Sequence, residues 1–563
     1  MMLSKLDSAP NMQIRKLRET FGSPSKAAAD LRKVIDNQLD TAPLRLVNTA
    51  TGLLSDREAQ INFFKQSTEY NELLLSSIMK HQDFPPERIA KVVAKYFRYA
   101  MLSHRWEGKE PVLEDIQDKD VYKLNQVGGI MKLQSFCNTA RDAGYLWAWS
   151  DTCCIKKSDP AEFETSIKSM FIWYHHSALT IVYLSDVSSE SGALADSVWN
   201  ERGWTVQEFL APHAILFYCN NWTLYLDDRT PNHKESDNIM RELERATGID
   251  RRVIQAFSPG TRDARKKLQW ASKRATTVEE DIAYSLYGIF DVRLVGLDYG
   301  EKKQHALGRL LREIIAQSGD ITALDWIGTS SVFNSCLPAD ISSYEFPPCA
   351  QPSVSEDEIK SSLSSLRGIV APESALKLYQ TLDRLSTPRF AHRRLLLPCI
   401  VFPVTEASRR PGQDHDTYEV KADGIHDLHI TIKDKFIPFS QARPPPTWQT
   451  LLLVRPWSRD LLGLPNLGEL LDVGDDTQNE DNLWSSSEAS GGFAREDQQV
   501  VSESSEQAFR LLVRLGQRFG AFLLARQGGG EYKRIASDRD IMAQIKDMAS
   551  VVNTMDIRTI EIS

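Results

Sequence analysis

Between residues 99 and 219, short apolar runs alternate with longer segments of helical periodicity. The runs YAMLS, YLWAW and LTIVYL occupy residues 99–103, 145–149 and 179–184, and a fourth run covers residues 214–219. Each is typical of a buried strand. Asp159-Pro160 followed by Glu162 predicts a helix start, with a cap, a proline at the first helical position and a capping-box acid. Strands that alternate with helices pair in parallel, so this region predicts a doubly wound α/β sheet.

Charge and hydropathy limit the kinds of partner. The 563-residue chain has a formal net charge of −9 and a pI near 5.8, which argues against a nucleic-acid-binding surface. The sequence contains no apolar run long enough to cross a membrane, and its N-terminus has no apolar signal segment. We therefore expect a cytoplasmic protein.

The cysteine pattern gives little support for a disulfide framework or a metal site. There are seven cysteines and no C-x-x-C pair, which suits a reducing compartment. The neighbouring pairs Cys153-Cys154 and His175-His176 lack the usual spacing of zinc ligands. Nothing in the sequence fixes a Cys–His nucleophile. We predict no metal ion and no bound cofactor.

Composition divides the chain into four regions. Residues 1–95 are predicted to form a helical arm that is partly disordered, with a short strand-like run at residues 44–47. Residues 96–230 form the α/β domain, and residues 231–330 a helical segment that follows it. Residues 331–563 are predicted to be a β-containing (α+β) C-terminal domain. Within it, residues 472–508 are acidic, serine-rich and poor in apolar residues, so we expect a disordered loop there.

Four segments, in order along the chain, resemble the fungal heterokaryon incompatibility (HET) domain. They are AMLSHRWEG at 100–108, LWAWSDTCCIKK and its continuation at 146–187, NERGWTVQEFLAP at 200–212, and ASKRATTVEEDIAYSLYGIFDV at 271–292. The resemblance covers roughly residues 44–327, and the last segment is similar to basidiomycete members. It implies a TIR-like, flavodoxin-like fold. It also implies a role in self/non-self recognition that triggers incompatibility-type cell death.

The resemblance makes Glu208 the candidate catalytic residue. Some TIR domains cleave NAD with a glutamate in a comparable helix, and a carboxylate suits this reaction because breaking the nicotinamide–ribose bond develops positive charge on the sugar. Trp204 lies four residues earlier and would share a helix face with Glu208, where it could stack on a nicotinamide or adenine ring. The alternative is structural: Trp204 lies in the core and Glu208 pairs with Arg202.

Further candidate ligand contacts follow the first two strands. Ligands of open α/β sheets bind beyond the carboxyl ends of the strands, where Ser103, Arg105 and Trp106 follow the first strand and Asp151 follows the second. Arg105 suits a phosphate or an acidic partner, and Asp151 suits a ribose hydroxyl. In the structural alternative, Arg105 forms an ion pair, Trp106 packs and Asp151 holds its loop.

Two mechanisms remain open. In one, the domain cleaves NAD or a related nucleotide; in the other, it is an adaptor that signals through protein partners or self-association without turnover. A crevice that holds Glu208 beside Arg105 and Asp151 favours the enzyme. A filled crevice with an exposed apolar patch favours the adaptor.

Overall fold

The computed structural model describes residues 24–78, 86–189, 193–293, 296–349, 354–410, 416–432, 451–459 and 493–563. These residues form two compact units. The first comprises Met1–Gly260, Arg274–Asp291 and Val295–Tyr299, so far as they are described, and the second comprises Thr261–Lys273, Val292–Leu294 and Gly300–Ser563.

The first unit is built on a six-stranded, mostly parallel sheet. Its strands are β1 (Arg45–Asn48), β2 (Leu54–Asp56), β3 (Tyr99–His104), β4 (Trp147–Trp149), β5 (Leu179–Tyr183) and β6 (Ile215–Tyr218). The order across the sheet is β2-β1-β4-β3-β5-β6, and the strands from β4 to β6 in that order are parallel. The predicted α/β class is confirmed. The strand-like run predicted in the N-terminal arm is β1, which joins β2 as an antiparallel edge.

The central strand β3 determines where a site can form. Every residue of β3 is buried, as its apolar sequence predicts. The chain leaves β3 for β4 on one side and then returns to β5 on the other side. Such a reversal of strand order opens a crevice beyond the carboxyl ends of the strands. The residues that follow β3 and β4 therefore lie at a common edge.

Helices pack around this sheet. The predicted start of the helix Pro160–His176 is confirmed, because the Asp159 carboxylate accepts hydrogen bonds from the amides of Ala161 and Glu162. Gly288 meets this helix so closely that an added Cβ would lie 2.1 Å from the Cβ of Phe171. The longer helices of the first unit are Pro24–Asp40, Arg57–Lys65, Thr68–Ile78, Pro86–Phe97, Gly129–Asp142, Pro160–His176 and Asp237–Thr247; the shorter ones are Leu113–Ile116, Thr205–Leu210, Arg251–Gln255, Asp281–Tyr284 and Tyr287–Phe290.

The second unit contains a β-barrel. The strands of the unit are β7 (Arg389–Ala391), β8 (Arg394–Arg410), β9 (Asp416–Ala422), β10 (Leu428–Ile432), β11 (Leu451–Pro456), β12 (Phe519–Arg526), β13 (Tyr532–Ile535), β14 (Ile541–Ala543) and β15 (Asp556–Ile562). Strands β8, β11, β12, β13 and β15 pair in this order, and β15 pairs back to β8 to close the ring. Its helices are Ala264–Ala271, Lys303–Ser318, Glu356–Arg367, Pro372–Asp383, Phe493–Leu515 and Met548–Val551. The predicted β-containing domain is confirmed.

One prediction in this unit needs correction. Residues 472–492 of the predicted disordered loop lie outside the described residues, whereas residues 493–508 belong to the helix Phe493–Leu515. The acidic, serine-rich first part of this helix is continuous with an apolar stripe that begins at residue 508. Ala508, Leu511, Leu512 and Leu515 are buried in the core of the unit, and this burial stabilises the helix.

All seven cysteines are unpaired, and each is buried except Cys349, which is half-buried. Within the described ranges, no helix is both long enough and apolar enough to span a membrane.

Candidate active site

Glu208 lies on a short buried helix, Thr205–Leu210, which we call the Glu208 helix. Its side chain is 3% exposed, and Ser103 at the end of β3 donates a 2.5 Å hydrogen bond from Oγ to Glu208 Oε2. Trp199 Nε1 donates to the same Ser103 Oγ at 2.9 Å. An indole N–H can only donate, so the serine proton points to the carboxylate. This chain of bonds fixes one carboxylate oxygen as an acceptor.

Two buried cations hold the ends of the Glu208 helix. Arg274 donates from Nη1 to Arg202 O at 2.9 Å and to Thr205 Oγ1 at 2.8 Å, beside the first turn. Lys234 donates from Nζ to Leu210 O and to Pro212 O, beyond the last turn. Carbonyl groups at a helix C-terminus lack partners inside the helix, and a cation there is favourable. Both contacts restrict where the Glu208 side chain can lie.

Asp151, which follows β4, accepts hydrogen bonds from separate segments of the chain. His104 Nε2 lies 3.1 Å from Asp151 Oδ1, and Trp106 Nε1 donates to Oδ2 at 2.9 Å. Arg202 Nη2 lies 3.5 Å from Oδ2, and Nη1 of the same side chain donates to His104 O at 2.6 Å. Since both oxygens already accept hydrogen bonds, the geometry favours the alternative in which Asp151 organises the loops around the site.

The two carboxyl groups have opposite electrostatic environments. Burial, reinforced by the charge of Asp151, raises the pKa of Glu208 to about 7. Burial acts in the same direction on Asp151, but the hydrogen bond from His104 and the charges of Arg202 and Lys157 outweigh it, so the pKa of Asp151 lies well below its usual range. Near neutral pH, Asp151 is ionised and Glu208 exchanges a proton readily. Divergent pKa values of neighbouring carboxyl groups are typical of catalytic sites.

A cavity of about 560 Å³ opens in front of Glu208. Five of the predicted site residues line it together: Arg105, Trp106, Asp151, Trp204 and Glu208. Ser103 is fully buried and contacts Glu208 from outside the cavity lining. The cavity is also lined by apolar side chains of the helix Pro160–His176 and its approach: Ile155, Phe163, Ile167 and Met170.

Sequence reasoning missed one wall of this cavity. Trp204 Nε1 donates to Asp281 Oδ2 at 3.0 Å, and Tyr299 OH donates to Asp281 Oδ1 at 3.0 Å. Asp281 and Tyr299 both line the cavity, although they lie more than seventy residues beyond Glu208 in the chain. The segment with Asp281 was identified only by its resemblance to a helical region after the domain. No local pattern shows that it folds back onto the sheet edge.

The chemistry of the cavity follows from its lining. Buried carboxyl groups, aromatic rings and cations converge on a space large enough for a small organic ligand. Among the described residues, no group of His, Cys, Asp and Glu side chains has the arrangement of a metal site. The arrangement suits acid–base chemistry, or stabilisation of a cation by a carboxylate, on a bound organic molecule.

Comparisons with known proteins give part of the chain a family context. Residues 99–198 match the family model described as heterokaryon incompatibility protein (HET). Over 239 residues, or 40% of the chain, the sequence is 35% identical to the vegetative incompatibility protein HET-E-1 of Podospora anserina. The aligned stretch is 17% of that relative, so the chain spans a small part of the relative's length. No solved structure matches the chain.

Proposed function

We propose that this chain, a HET domain protein and distant homologue of HET-E-1, acts in fungal heterokaryon incompatibility by cleaving NAD or a related nucleotide. The observation that carries this proposal is the position of Glu208. It is a buried carboxyl group, held by Ser103, at a cavity that also contains Arg105, Trp106 and Trp204. A cavity lined by Glu208, Arg105 and Asp151 supports the enzyme over the adaptor.

The proposed reaction is hydrolysis of the bond between nicotinamide and ribose. As the bond breaks, its electron pair passes to the ring nitrogen, which becomes neutral, while positive charge develops at ribose C1′. The ionised carboxylate of Glu208 stabilises that charge, as carboxylates do in glycoside hydrolysis. Water then adds to C1′ and loses a proton, giving ADP-ribose and nicotinamide. In the cell, this loss of NAD would cause the incompatibility-type death.

The first test follows nicotinamide release from NAD by the purified full chain. Wild-type protein is expected to release nicotinamide, and Glu208→Gln is expected to reduce the rate by at least about a hundredfold, because the amide carries no charge to oppose the cation. The exposed Glu114 lies outside the cavity lining, so Glu114→Gln serves as the control and should retain the wild-type rate. If the protein self-associates and still releases no nicotinamide, the enzyme hypothesis is contradicted and the signalling-adaptor hypothesis is supported.

The pH dependence of the reaction provides a second prediction. The active form is the ionised carboxylate, and the pKa of Glu208 is raised to about 7 by burial. We expect kcat/KM to rise with pH and to level off above about pH 7, since kcat/KM reports the pKa of the free enzyme. Initial rates between pH 5 and pH 9 measure this. A profile that is flat from pH 5 upward would contradict the role given to Glu208.

A further inference from the structure

The cations of the cavity differ in whether they already have a carboxylate partner. Arg202 lies in an ion pair with Asp151. Arg105 and Lys157 are both exposed and line the cavity. Among the ion pairs of the described residues, neither takes part in one. Lys157 Nζ lies 4.3 Å from the centre of the ring of Trp106, the residue that follows Arg105 in the chain. Both side chains can contact an anion, although the charge of Lys157 also acts on Asp151.

The acidic groups of the same cavity are placed differently. Glu208 accepts its hydrogen bond from Ser103, and Asp281 accepts from Trp204 and Tyr299. All of these donors are neutral side chains. Burial raises the pKa of Asp281, as it does that of Glu208, so each group favours its neutral form unless a cation beside it stabilises the carboxylate. A cationic ring placed against Trp204 would meet carboxyl groups and an aromatic face together, which is a favourable environment for a cation.

We propose that the cavity binds a pyridinium nucleotide in one orientation, with its phosphates on Arg105 and Lys157 and its cationic ring beside Trp204, Asp281 and Glu208. This orientation rests on the proposed function for the identity of the ligand. It goes beyond that function because it assigns separate subsites to the two charges of the ligand. The phosphate subsite supplies affinity, and the acidic subsite places the ring next to the reacting carboxylate. Guanidinium and ammonium groups are the usual partners of phosphate oxygens.

Two small probes test the subsites separately, because neither needs to be cleaved. ADP-ribose carries the phosphates without the ring, and the 1-methylnicotinamide cation carries the ring without phosphate or a glycosidic bond. Binding is measured by titration calorimetry, or by quenching of tryptophan fluorescence. The double variant Arg105→Gln/Lys157→Gln should bind ADP-ribose at least about tenfold more weakly, and should bind 1-methylnicotinamide as wild type does. Asp281→Asn should bind 1-methylnicotinamide at least about tenfold more weakly, and should bind ADP-ribose as wild type does.

Lys156→Gln is the matched control, since Lys156 is exposed next to Lys157 but lies outside the cavity lining. Its affinity for ADP-ribose should equal that of wild type. Equal loss of affinity in Lys156→Gln and in the double variant would overturn the phosphate subsite, because a general charge effect would then explain both. The orientation would be overturned if the double variant bound 1-methylnicotinamide more weakly than wild type, or if Asp281→Asn bound it as tightly as wild type.

The outcomes for the subsites and for catalysis are distinguishable. Nicotinamide release by the wild-type protein, combined with unchanged ADP-ribose affinity in the double variant, would overturn the orientation and leave the proposed function standing. The opposite result is also informative. If each variant weakens binding of its own probe and the wild-type protein releases no nicotinamide, the proposed function is overturned and the two charge subsites stand as a nucleotide-binding site.

Discussion

Glu208→Gln is expected to stabilise the folded protein above pH 7 and to leave its stability nearly unchanged below pH 5. The carboxyl group has a pKa of about 7 in the folded protein and an ordinary value of 4.5 when it is exposed. Below pH 4.5 it is protonated in both states. Between pH 4.5 and pH 7 the unfolded chain ionises this group while the folded protein keeps it protonated, so stability falls progressively over this range and levels off above pH 7. The loss is about 3 kcal/mol, at about 1.4 kcal/mol per pKa unit.

Glutamine has nearly the shape of glutamate and no charge, so it avoids this loss. Its side-chain oxygen can still accept the hydrogen bond from Ser103. Urea denaturation of the full chain at pH 5 and pH 8 measures the effect as a difference in the free energy of unfolding. If the free energy of unfolding changes equally at both pH values, or if the variant is less stable than wild type at pH 8, ionisation of the buried Glu208 does not cost the stability that we assign to it.

Asp151→Asn is expected to destabilise the protein by about 3 kcal/mol, although it too replaces a carboxyl group by an amide. Asp151 holds His104, Trp106 and Arg202 together, and its side chain is 13% exposed. The variant loses one acceptor atom and leaves the half-buried guanidinium of Arg202 without its counter-charge. Removing one partner of a buried ion pair typically costs 3–5 kcal/mol, and partial exposure places this pair near the lower limit.

The pH dependence of this effect should also differ from that of Glu208→Gln. The pKa of Asp151 lies below its ordinary value, so the stability that it contributes is present above pH 4 and is lost only in stronger acid. The destabilisation should therefore be no larger at pH 8 than at pH 5, because removing the Asp151 charge also lowers the pKa of Glu208 and makes its ionisation in the folded protein less costly. Asp142→Asn is the control, because Asp142 is exposed and lies 3.9 Å from Arg141, and its change should stay within about 0.5 kcal/mol. A similar loss of stability in Asp151→Asn and Asp142→Asn would contradict the role of Asp151 in organising the site.

Together the two substitutions test whether one carboxyl group organises the site while the other reacts in it. Residues adapted to catalysis are often destabilising in the folded state, whereas residues that position them are stabilising. Opposite signs for Glu208→Gln and Asp151→Asn at pH 8 would place the two carboxyl groups in these different roles. If both substitutions change stability in the same direction at pH 8, that distinction is lost, whatever the outcome of the NAD assay.

Local sequence was sufficient to predict much of the α/β unit. The strands β3 and β5 and the cap at Asp159 were predicted from apolar runs and from a capping pattern, since both signals depend on neighbours in the chain. Parallel pairing was enough to predict that residues after β3 and β4 would meet at one edge, whereas the reversal of strand order at β3 came from the structure. Asp281 and Tyr299 could not be predicted in this way, because their contact with Trp204 depends on how a distant segment folds back.

The sequence by itself determined the class of fold and the edge of the sheet at which Arg105 and Asp151 meet, because strand and helix periodicity are local and parallel strands end at a common edge. The resemblance made Glu208 a candidate, and the structure placed it at the same cavity. Only the tertiary structure decided what these groups can do there. It gave the oxygens of Asp151 to His104, Trp106 and Arg202, and it left Glu208 buried beside a cavity. The physical reason is that pKa and hydrogen-bond occupancy depend on burial and on neighbours in space, which sequence distance does not encode.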